Sequence, residues 1–104
     1  MKREKMESDI QSEIIKYLKK LPGLWLFKVC GGSTIQKAGI PDIVGVYQGQ
    51  FFAIEVKRPG KKPTTLQKHV METLARCGAL VGVAVCVEDA QKILGIVSEE
   101  DTAS

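Results

Sequence analysis

The chain is poorly equipped for soft-metal or disulfide chemistry. Its 104 residues include three cysteines and one histidine. Cys30, Cys77 and Cys86 form no CxxC pair. An odd, scattered set argues against a disulfide framework and against a zinc site, and fits a reducing compartment. Their apolar neighbours make small buried hydrophobes the expected role. The lone His69 follows a lysine in a helical stretch, where a structural role is expected. Long apolar runs are also missing. The longest, Ala79 to Val87, has nine residues, whereas a membrane-spanning helix needs about 20. The opening Met1-Lys2-Arg3-Glu4-Lys5 is charged and no apolar segment follows, so no signal peptide is expected and the setting is cytoplasmic. No repeat or low-complexity stretch is visible.

What remains is the composition of an ordinary soluble globular chain, 44% hydrophobic and 26% charged. The length accommodates one domain, 1–104, with a core over about 6–94 and a polar tail over 95–104. The net charge of +3 is small, yet its distribution is uneven. Residues 1 to 76 carry 14 basic and 7 acidic side chains, and residues 77 to 104 carry Lys92 against five acids. Such polarity makes a polyanion a partner to test.

Ile10, Ile14, Tyr17, Leu18 and Leu21 recur at helical spacing, which predicts a helix from about Glu4 to Lys20, stopped by Pro22-Gly23. Leu24 to Cys30 reads as a strand, followed by a loop from Gly31 to Pro41. Ile43 to Tyr47 and Gln50 to Lys57 form a hairpin around Gly49. Thr65 to Cys77 is a helix with Leu66, Val70, Leu74 and Cys77 on one stripe. The valine-rich Leu80 to Val87 is a buried strand, and Glu88-Asp89 opens a short helix to about Leu94. The order α-β-β-β-α-β-α gives an α/β fold, a mixed sheet flanked by helices.

Alternation on the third strand sends Phe52, Ile54 and Val56 one way, and Ala53, Glu55 and Lys57 the other. By itself the Glu55–Lys57 pair fits an exposed face with a cross-strand charge pair. Asp42 alters that reading, because the hairpin brings it near Glu55. Two close carboxylates in a partly buried site repel, and a divalent cation between them relieves this. An all-oxygen set suits Mg²⁺ or Mn²⁺. Lys57 could then stabilise a phosphate oxygen or orient a water.

Pro41-Asp42 followed by Glu55-Val56-Lys57 resembles the PD-(D/E)xK nuclease signature. Glu7-Ser8-Asp9-Ile10-Gln11, Gly39-Ile40-Pro41-Asp42, Ile54-Glu55-Val56-Lys57-Arg58-Pro59 and Thr65-Leu66-Gln67 together resemble the VRR-NUC family of virus-type replication-repair nucleases, over roughly Met6 to Leu94. The resemblance implies a restriction-endonuclease-like core with Asp42 and Glu55 as metal-binding carboxylates and the Val56 carbonyl as a further ligand. It also implies that Lys57 is the catalytic lysine, that Glu7 reaches the metal directly or through water, and that Gln67 positions Lys57 or the substrate. Glu7 extends the core-facing stripe of the first helix through Gln11, Ile14 and Leu18, although an acid in a helix's first turn is also favourable in its own right. Gln67 equally completes a capping box, Thr64-Thr65-Leu66-Gln67.

The stretch from Lys57 to Lys68 has five Lys/Arg and no acid. Arg58, Lys61, Lys62 and Lys68 are candidate phosphate contacts, and Ser33, after Gly31-Gly32, is a weaker one. The implied activity is Mg²⁺- or Mn²⁺-dependent hydrolysis of DNA phosphodiester bonds. One small domain offers little surface for sequence reading. Free-standing relatives resemble Holliday-junction resolvases, so the expected partners are branched or four-way DNA and a second copy of the chain, with phage or prophage origin. A nicking or flap nuclease, a non-catalytic nucleic-acid-binding module and an accessory scaffold subunit are the rival readings.

Overall fold

The structure, a computed structural model, describes residues 5–30 and 38–96. Ser33 and the polar tail beyond Ile96 lie outside them. The seven elements are α1 (Glu7–Leu18), β1 (Leu24–Lys28), β2 (Ile43–Tyr47), β3 (Gln50–Val56), α2 (Thr65–Arg76), β4 (Leu80–Ala84) and α3 (Val87–Ile93). This is the order read from the sequence.

The sheet is built outward from one tight turn. Gln48 and Gly49 both have positive φ, 49° and 84°, as a two-residue type I′ hairpin requires. That turn fixes the β2–β3 register, with Ile43 opposite Ile54 and Tyr47 opposite Gln50. β1 adds antiparallel to β2, and β4 adds parallel to β3 after the crossover through α2. The strand order is β1-β2-β3-β4.

Each face has a different cover. Phe52, Ile54 and Val56 meet Ile10, Ile14 and Leu18 of α1, with Ala84, Ala90 and Leu94, in the main core. The helical spacing of α1's apolar residues thus becomes its buried stripe. Against the opposite face lies α2, anchored by its buried Met71 and flanking an apolar cavity of about 310 Å³ over Val81 and Val83. The result is an α/β/α layering in which β3 is buried on both faces over Phe52–Val56.

Several boundaries and faces differ from the sequence reading. α1 begins at Glu7, where the Asp9 carboxylate accepts the Met6 amide at 2.9 Å. β4 ends at Ala84 because the Asp89 side chain takes the Val85 amide, at 3.0 Å, into the start of α3. The inward residues of α2 are Gln67, Val70, Met71 and Leu74, while Leu66 and Cys77 are exposed. Cys30 and Cys77 are exposed free thiols and Cys86 is half-buried, because Cys30 lies beyond the end of β1 and Cys77 caps the end of α2. The expectation of three buried cysteines is corrected accordingly. Among the described residues no helix is long and apolar enough to cross a membrane.

Candidate active site

At the carboxyl end of β3 the sheet passes from apolar to charged. Glu55 sits in the middle layer, 3% exposed, and is the one buried charged residue among those described. Strand alternation puts it on the α2 face, opposite the main core. The β2–β3 register, continued one residue past Ile43, sets Asp42 directly across from it.

Asp42 is fixed from two directions. Its carbonyl accepts the Val29 amide at 2.8 Å, which ties it to the end of β1. Its carboxylate Oδ2 accepts the Val56 amide at 2.8 Å. In an extended strand the N–H and C=O of one residue leave on the same side. The Val56 carbonyl therefore also points toward Asp42, away from β4.

Glu55 has a divided environment. Its Oε2 accepts a hydrogen bond from Gln67 Nε2 at 3.1 Å and lies 3.7 Å from Lys57 Nζ. Its Oε1 is buried and meets no hydrogen-bond donor among the described residues. Burial drives the Glu55 pKa upward, and the adjacent Asp42 carboxyl group, within hydrogen-bonding reach, adds to it. Lys57 pulls in the other direction, and the outcome is a pKa pushed up to about 8. Glu7, half-buried in the first turn of α1, adds a smaller upward push, so its charge is felt at this site.

These residues suit a hard divalent cation. Carboxylate and carbonyl oxygens from Asp42, Glu55 and Val56 converge, and the unpartnered Glu55 oxygen is what a cation would satisfy. Among the described residues no three His, Cys, Asp or Glu side chains gather tightly enough to hold one ion by themselves. This leaves Glu7 outside the inner set.

Gln67 completes the capping box, and the site residue it meets is Glu55 instead of Lys57. Its backbone amide donates to Thr64 Oγ1 at 3.1 Å, and its Oε1 accepts the Thr64 amide at 2.8 Å, completing the capping box. Its Nε2 remains to hold Glu55. A helix cap and a brace on the buried carboxylate share one side chain.

The family model of the VRR-NUC domain matches residues 4–88 of the chain. The chain belongs to the VRR-NUC family. Among solved structures, a VRR_NUC domain superposes with a TM-score of 0.68 at 23% identity, over 86% of this chain and 94% of its own. A VRR_NUC domain protein superposes with a TM-score of 0.67 at 20% identity, over 89% and 88%. Both show the same fold. No curated protein sequence is similar enough to this chain to count as a match.

Within this VRR-NUC fold, a nuclease-type fold, the basic candidates fall into two groups. Arg58, Lys61 and Lys62 lie on the loop that leaves β3 directly after Lys57, the latter two exposed. Lys68 is on α2, where it lines the cavity beside Met71 and Val83. His69 is exposed on α2.

The structure adds one residue whose contact the sequence reading did not assign. Gly39 has φ +75°, and a Cβ there would lie 3.0–3.1 Å from Leu66 Cγ and from the Leu66 backbone carbon and oxygen. The loop carrying Asp42 is thereby pressed against the first turn of α2, one residue before Gln67. The only signal in the sequence was the glycine itself, two residues before Pro41.

Proposed function

We propose that this VRR-NUC protein is a Mg²⁺- or Mn²⁺-dependent DNA endonuclease, selective for branched DNA such as four-way junctions, and acting as a homodimer. The observation that carries the reading is the buried Glu55, with one oxygen unpartnered, beside Asp42 and 3.7 Å from Lys57. A protein does not hold an orphaned polar oxygen in its interior without cost, and at a functional site the cost is offset when the ligand arrives.

Asp42, Glu55 and the Val56 carbonyl would hold the metal, with Glu7 supporting it through water. A divalent ion bound there supplies an activated water and neutralises charge on the phosphate. Lys57 sets a positive charge where negative charge builds on the scissile phosphate. Gln67 and the Val56 amide keep Glu55 and Asp42 in their productive rotamers. Hydrolysis would leave 5′-phosphate and 3′-hydroxyl ends. A DNA substrate and free thiols both fit a cytoplasmic setting for the protein.

The test is cleavage of a panel of junction, flap, nicked and linear DNAs in Mg²⁺, Mn²⁺ or EDTA. Lys57→Ala is expected to lower kcat by roughly 10²- to 10³-fold, and Asp42→Ala and Glu55→Ala to abolish metal-dependent cutting. A wild-type rate from either carboxylate variant would sink the assignment. DNA binding without metal-dependent cleavage would leave a binding module, and a flap or nick preference would favour the nicking alternative over a resolvase. A sedimenting monomer at every concentration would refute the dimer.

A further inference from the structure

The face of the sheet that carries Asp42 and Glu55 is covered only in part. Registers place Trp25 opposite Val46, and Val46 opposite Phe51; the next row is Phe27, Val44 and Ala53. The row after that, by continuation, holds Asp42 and Glu55. All are on one face by alternation. Among the described residues, α2 lies over the β3–β4 half of this face and no element covers the β1–β2 half. Trp25 is 63% exposed, Phe27 54%, Phe51 42% and Val46 40%. The rings of Trp25 and Phe27 lie near-parallel, 18° apart in plane with centroids at 6.4 Å.

We propose that this open half is a stacking platform for unpaired nucleobases, adjoining the cleavage site. Exposed aromatic rings on an open sheet are the usual floor for splayed bases, since every base has a flat π face. Two residues along a strand advance about 6.6 Å, so Phe27 lies one row from the carboxylates and Trp25 two. A nucleotide beside the bond held at Asp42 and Glu55 therefore falls within reach of these rings. The charge pattern agrees with a polyanion. The two aromatic rows hold no acid, and Lys57 stands at the site on the same face. Aromatic floor and catalytic row form one continuous surface, which favours the substrate over a second protein as its occupant. The inference rests on the nuclease reading and sharpens it, because branched DNA is the substrate that offers unpaired bases next to a duplex.

Trp25 is the chain's only tryptophan, so its emission reports on this face alone. The full-length protein in EDTA is titrated with a flapped duplex, an oligo-dT strand and a blunt duplex, reading both Trp25 fluorescence and the anisotropy of labelled DNA. Saturable quenching by the flap and by oligo-dT, with little from the blunt duplex, is the result expected. Phe27→Ala should weaken flap binding roughly tenfold with blunt-duplex binding and thermal unfolding unchanged. DNA binding and Mg²⁺-dependent cleavage with Trp25 emission unmoved would overturn the platform and leave the nuclease reading standing. A concentration-dependent emission change without DNA, with a dimer mass in sedimentation that Trp25→Ala abolishes, would also overturn it, giving the face to a second copy. Absence of cleavage of any DNA would overturn both readings together.

Discussion

Burying Glu55 strips water from a carboxylate that still has Asp42 beside it, and both effects raise its pKa to about 8 from 4.5. The protonated form is therefore favoured in the folded chain relative to the unfolded one. The stabilisation this gives is complete below about 4.5 and is lost as pH rises through about 8. Without metal, the melting temperature should fall between pH 5 and pH 8, and Glu55→Gln should flatten that slope. Added Mg²⁺ should raise the melting temperature more at pH 8 than at pH 5, because cation and proton compete for the same oxygens. A metal-free melting curve insensitive to pH over this range, in wild type, would show that Glu55 ionises as it does in water.

Among the elements, α2 bears the most on the site, since its first turn holds Glu55 through Gln67 and also receives the loop of Asp42 at Gly39. Gly39→Ala must place a methyl group against the Leu66 backbone at positive φ. The expected loss is about 1–3 kcal/mol in denaturant unfolding, with a fall in kcat larger than that from Leu66→Ala. Wild-type stability in Gly39→Ala would mean that the loop is free to move off the helix. The hairpin elements were legible because turn chemistry and two-residue alternation act locally: Gln48-Gly49 and the row from Phe52 to Lys57 needed no tertiary knowledge. The stripe of α2 was less legible. Leu66 looks like core in sequence but overhangs toward the Gly39 loop, and the inward line runs through Met71 instead. Nor could alternation reveal that Trp25 and Phe27 lie open, since it marks a face of the sheet without saying whether a helix covers it.

For the whole molecule, the net +3 divides into a basic portion bearing the site and an acidic end. Of the basic residues, Arg58, Lys61 and Lys62 share the loop that leaves β3, whereas Lys68 is on α2. Replacing those three with alanine should reduce the slope of log affinity against log salt by about 2–3 for duplex DNA in EDTA, near 0.9 for each phosphate no longer neutralised. An unchanged slope would mean that other cations neutralise the phosphates. The architecture also orders events in time. Asp42 and Glu55 flank a single hairpin closed by a two-residue turn, whereas β4 can pair with β3 only after the longer crossover through α2 has closed. Short closures cost less entropy and form sooner. The two acids are thus brought side by side while still in water, and the layer that dries Glu55 arrives afterwards. Proton uptake belongs to that later step of folding, so the chain meets the repulsion between these two carboxylates only when it has nearly finished folding.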